Sequence, residues 1–138
     1  MKKLLFSFLF FIGILSFSQE VKMKGKKLSI DNKEVFSYER EDFGVYQIHF
    51  YDLKSNDEIL FIKKNDNETP RYFDDDYTQI KFISIGKSLE IKQDKSWKGY
   101  VEWLLKNKVL DNEGKLNEEM VDKLIKNYDE KITDRTVR

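Results

Sequence analysis

Apolar and polar residues alternate with a period of two along most of the first two-thirds of the chain and recur with a period near 3.6 over the last third. Strands are therefore expected first and helices after. Strand patterning runs from about Lys26 to Lys92. Leu28 and Ile30 alternate with polar neighbours, and Asp31-Asn32-Lys33 forms a turn cluster leading into a strand over Val35–Arg40. Gly44–Leu53 is the clearest strand, with Tyr46, Ile48 and Phe50 on one face and Val45, Gln47, His49 and Tyr51 on the other. Lys54-Ser55-Asn56-Asp57 reads as a hairpin turn. The return strand, Glu58–Lys64, carries the unbroken run Ile59-Leu60-Phe61-Ile62, which predicts a central strand covered on both faces. Asn65–Asp76 holds the only proline, Pro70, and the acidic run Asp74-Asp75-Asp76, and is expected to be an exposed loop. Tyr77–Ile85 resumes as a strand, Gly86-Lys87 suits a two-residue turn with glycine first, and Ser88–Lys92 closes a short hairpin.

The periodicity then changes. After Asp94 and Ser96, either of which suits an N-cap, Trp97, Tyr100, Val101, Leu104 and Leu105 fall on one helical stripe. Gly99 within it costs about 1 kcal/mol relative to alanine. Asp111–Lys115 is a connector, and from Asn117 onward Met120, Val121, Leu124, Ile125 and Tyr128 repeat the same spacing. The two helices, over about 96–109 and 117–129, are each too short to persist alone in water, so their stripes must bury against another apolar surface. The expected architecture is α+β: an antiparallel sheet of about six strands, a meander of hairpins, followed by a C-terminal helical hairpin packed on the sheet. The polar tail from Lys131 to Arg138 is expected to fray.

The N-terminus follows neither period. Met1-Lys2-Lys3 is basic, Leu4–Phe17 is free of charge, and Ser16-Phe17-Ser18 places small residues where a signal peptidase cuts, ahead of the polar Gln19-Glu20. The apolar block falls short of the ~20 residues needed to cross a bilayer. Residues 1–18 are thus expected to be a signal peptide cut after Ser18, leaving 19–138 as a single exported globular domain, periplasmic or secreted. With no cysteine in the chain there can be neither a lipid-acylated N-terminus nor a disulfide, so the domain must hold by packing.

Charge narrows the partners. The chain has 25 basic and 25 acidic residues, interleaved throughout, and loss of Lys2 and Lys3 tips the balance to acidic. Such a surface does not suit nucleic acid, which calls for a clustered basic excess. His49 is the only histidine, with no serine in a nucleophile-elbow setting and no cysteine to activate, so it reads as a structural or surface residue. Asp66, Glu68 and Asp74 to Asp76 supply oxygen ligands of the kind calcium uses, and Asp111-Asn112-Glu113-Gly114 superficially resembles a calcium loop, but neither has EF-hand spacing; a solvated loop and a helix connector are the better readings. Asn67-Glu68-Thr69 forms a glycosylation sequon, made a poor acceptor by Pro70. No catalytic, cofactor-binding or metal-binding residue is assigned, and no cofactor is expected. Strand aromatics mainly serve packing, and the functional alternative is an interaction surface formed by Gln47, His49 and Tyr51 together with Tyr72 and Phe73.

The N-terminus ending Ser16-Phe17-Ser18-Gln19, the strand-rich body and the ending Val109-Leu110-Asp111, Gly114-Lys115-Leu116, Val121 and Ile125-Lys126-Asn127-Tyr128 resemble small uncharacterised exported proteins of flavobacteria and their relatives. The resemblance implies a bacterial, extracytoplasmic setting and carries over no activity. The expected role is a non-enzymatic binding or accessory module of the cell envelope that meets another protein or peptide through a sheet face or edge strand. The alternatives are a small carboxylate-based hydrolase or carbohydrate-active protein, and a purely structural envelope protein.

Overall fold

A computed structural model describes residues 19–65 and 76–135; the signal-peptide expectation, Tyr72, Phe73 and most of the acidic loop lie outside them. Seven strands form one antiparallel sheet in sequence order: β1 (Val21–Lys24), β2 (Lys27–Ile30), β3 (Lys33–Glu41), β4 (Tyr46–Asp52), β5 (Glu58–Asn65), β6 (Tyr77–Phe82) and β7 (Lys87–Ile91). Helices α1 (Trp97–Lys106) and α2 (Glu118–Tyr128) follow, then the short α3 (Ile132–Arg135). The fold is α+β, with one strand more than expected. The extra strand, β1, buries Val21 and half-buries Met23 between two exposed lysines, an alternation too short to stand out from the polar start of the domain.

Turn chemistry sets the register of the first hairpins. Gly25 and Lys26 both take positive φ (58° and 62°), as do Asp31 and Asn32 (50° and 66°). Each pair forms a two-residue loop of the handedness that matches the twist of the flanking strands. The β6–β7 turn differs from expectation. Phe82 pairs with Lys87, so the loop spans Ile83–Gly86 and Gly86 is its last residue. Its N–H donates to the Phe82 carbonyl at 2.8 Å, which ends the strand at Phe82 rather than Ile85.

Two bulges shape the core. The β2–β3 register slips between Leu28 and Ser29, inserting Val35, and both Val35 and Phe36 are buried. The β4–β5 register slips between Phe50 and Tyr51, inserting Ile59, which packs on the core beside the buried Leu60. A bulge sends two consecutive side chains toward one face and reverses the alternation beyond it. This corrects the expectation for the run Ile59–Ile62: Ile59, Leu60 and Ile62 serve the core, while Phe61 turns to the other face and is only half-buried.

The helices cover the inner face. Ser96 caps α1, its hydroxyl accepting the Gly99 N–H at 2.9 Å, and Tyr100, Val101, Leu104 and Leu105 are buried among the sheet residues. The buried Tyr100 hydroxyl meets the Thr78 hydroxyl at 2.7 Å and donates to the Gln93 carbonyl at 3.2 Å. The helix ends at Lys106, short of 109. Lys108 takes φ 60°, its N–H donates to the Leu105 carbonyl at 3.0 Å, and the Val109 N–H donates to that of Leu104 at 2.9 Å. The connector is a tight turn: Asp111 Oδ1 accepts the N–H groups of Glu113 and Lys115, each at 2.9 Å. Gly114 (φ 79°) lies so close to Phe36 that a Cβ would stand 2.8 Å from its ring. Asn117 caps α2, which buries Val121 and Leu124.

Of the tail expected to fray, the segment 131–135 is described, and it is held in place together with the two residues before it. It wraps the free edge of β7: the Glu130 N–H donates to the Glu90 carbonyl at 2.9 Å, Asp129 Oδ1 accepts the Glu90 N–H at 3.0 Å, and Glu130 Oε2 accepts the Lys92 N–H at 2.6 Å. Thr133 then grips the Glu90 carboxylate through both its N–H and its hydroxyl, and Ile132 is buried. Tyr77 is buried too, its hydroxyl 3.3 Å from that of Thr133, yet neither Tyr77 nor Ile132 belongs to the main core. The segment thus rounds the edge and seals a corner of the outer face.

Candidate functional site on the outer sheet face

Beyond that sealed corner the outer face is lined by residues in register across four strands. Glu39, His49, Phe61 and Lys81 form one cross-strand row, and Glu41, Gln47, Lys63 and Gln79 the next. Gln47, His49 and Tyr51 alternate along β4 opposite the buried Ile48 and Phe50, and all three are half-buried.

The inserted Ile59 completes the site. Strict alternation from Phe61 would turn Glu58 toward the core, but the slip pairs Glu58 with Tyr51 on the outer face. There its Oε1 lies 2.6 Å from His49 Nδ1, with side-chain exposures of 26% for His49 and 30% for Glu58. With Nδ1–H donating to the carboxylate, Nε2 is the accepting nitrogen and faces the Gln47 side-chain amide at 3.5 Å. The imidazole stacks on the Tyr51 ring at 6.3 Å and leans on Phe61 at 4.6 Å, while the Lys81 ammonium lies 5.8 Å from the Phe61 ring centre. Burial, reinforced by the negative charges of Glu39 and Glu58, pushes the Tyr51 hydroxyl above its usual ionisation range.

The structure brings Gln47, His49 and Tyr51 together; Tyr72 and Phe73 lie outside the described residues. Sequence reading missed Glu58, Phe61, Lys81 and Glu39. Only the doublet Ile59-Leu60 ahead of Phe61 hinted at the slip that creates the His49–Glu58 pair. Chemically, the patch offers a carboxylate-oriented imidazole, two flanking rings and an amide. The second imidazole nitrogen faces that amide rather than a hydroxyl it could activate. Among the described residues, no group of three or more histidine, aspartate and glutamate side chains is placed to hold a metal ion, and Asp111 directs its carboxylate to its own turn. Comparison of the chain with family models, curated proteins and solved structures returns no match.

Proposed function

We propose that this is an exported, non-enzymatic binding or accessory module of the cell envelope, which recognises another protein or peptide through the outer sheet face around His49. One observation carries the reading: a bulge turns Glu58 onto the open face, where it fixes His49 between Tyr51 and Phe61. Oriented rings with polar edges supply contact area at little entropic loss, as recognition surfaces do. The uncharged Leu4–Phe17 block behind Lys2 and Lys3 supports the export part of the reading. No described helix is long and apolar enough to cross a membrane.

The test is affinity capture from native envelope with the domain beginning at Gln19, run beside a His49→Ala, Phe61→Ser double variant of unchanged melting temperature. A reproducible protein retained by the parent and lost by the variant is expected. Equal capture by both overturns the outer face as the binding surface. Absence of any partner, combined with turnover of a glycoside or ester panel that His49→Ala abolishes, would move the assignment to the hydrolase reading.

A further inference from the structure

His49 has two ring nitrogens, and the fold gives them unlike partners. Nδ1 lies 2.6 Å from Glu58 Oε1, and an ionised carboxylate only accepts, so this nitrogen carries a hydrogen whether the ring is neutral or charged. Any change of protonation therefore falls on Nε2. That nitrogen faces the Gln47 side chain, whose amide nitrogen stands 3.5 Å away. A primary amide carries its donors on one corner and its acceptor on the other, and a half-turn about its last torsion exchanges them with little hindrance. The neutral ring accepts from the amide NH2. The charged ring donates instead, and two donors cannot face each other, so the carbonyl must turn inward.

The ring itself is held still, by its bond to Glu58, by the stacked Tyr51 and by Phe61 at 4.6 Å. The charged groups around the pair are Glu39, opposite His49 on β3, Lys81, opposite Phe61 on β6, and Glu41 and Lys63, on either side of Gln47. Among the described residues none of these four bonds to the imidazole, whose hydrogen-bond partners are Glu58 and Gln47. The Tyr51 hydroxyl, pushed up by burial and by the two glutamates, keeps its proton while an imidazole titrates. The amide is thus the group left to answer a proton at Nε2. We propose that His49 and Gln47 form a proton-driven switch, in which the outer face offers the Gln47 carbonyl when the imidazole is neutral and the Gln47 NH2 when it is charged. A partner that reads one end of the amide is refused by the other. As control of partner binding the switch rests on the outer-face reading; as a turn of the amide it does not.

The experiment follows side-chain nitrogens by magnetic resonance on isotope-labelled protein recovered from producing cells. It runs from about pH 8 to about pH 5.5, a window that spans ordinary imidazole titration and stays above that of carboxylates. His49 is the only histidine, so its ring signals are assigned at once. Nε2 should shift far more than Nδ1, and the Gln47 NH2 signals should move with the same midpoint. Their proximity to the ring protons should be seen above that midpoint and lost below it. In His49→Phe the Gln47 signals should ignore pH. In Glu58→Gln, where an amide replaces the obligate acceptor, the change should spread over both ring nitrogens, at an unchanged melting temperature. A ring that does not titrate in this window, Gln47 signals that stay put or move equally in His49→Phe, or a change carried by Nδ1 would each overturn the switch. All of these are read on the free protein, and so are distinct from the capture result that decides the outer-face reading.

Discussion

Lys108 sits where a helix ends in left-handed backbone, a place that glycine normally fills because a Cβ there crowds the preceding carbonyl. Its side chain is exposed, so nothing offsets that crowding. Lys108→Gly should stabilise the domain by about 0.5–1 kcal/mol in a denaturant titration, with an unchanged slope. Asp52 offers the pH counterpart. The N–H groups of Lys54 and Ser55 bond its charged form at 2.7 and 3.1 Å and hold its carboxyl below the usual range. A depressed folded value favours the folded state above the unfolded carboxylate value of about 4 and loses that contribution as pH falls through the folded one. Asp52→Asn should therefore lower stability at neutral pH, and the difference between variant and parent should vanish in acid. Thermal unfolding across the acid range measures it.

Among the elements, each was legible to the degree that one local signal set it. The alternation over Gly44–Leu53 announced Gln47, His49 and Tyr51 as one face, and the stripes of the two helices announced Tyr100, Leu104, Val121 and Leu124 as core. The bulges were not legible as such, because Val35-Phe36 and Ile59-Leu60 read equally well as part of a strand buried on both faces. A slip of one residue depends on what lies across the sheet, and the neighbouring strand is not local information. The polar tail misled for a related reason: Thr133 within it bonds the carboxylate of Glu90, on a strand far away in sequence. Deleting Ile59 should restore strict alternation, draw Glu58 away from the outer face and break its bond to His49. As His49 is the only histidine, the imidazole nitrogen shifts report this without ambiguity; shifts identical to the parent would mean that the slip does not position Glu58.

In the molecule as a whole, every strand pairs with its sequence neighbour, a low-contact-order arrangement that favours fast assembly from hairpins. A meander leaves two free edges, and the two are handled differently. β1 is short and carries exposed lysines, whereas β7 is closed by Asp129, Glu130 and Thr133. Truncation after Tyr128 should lower the melting temperature and yield concentration-dependent oligomers in sedimentation velocity, with the intact chain monomeric under the same conditions.

The closure of β7 also fixes when the domain can be finished. A polypeptide emerges amino end first, whether from the ribosome or from an export channel, so all seven strands and both long helices are out before the residues that seal the last edge. Until Thr133 reaches Glu90, a complete sheet stands with one side unguarded. Asp129, Glu130 and Thr133 therefore act as a latch on the sheet, and a chain interrupted just short of them would be the species most in need of a chaperone.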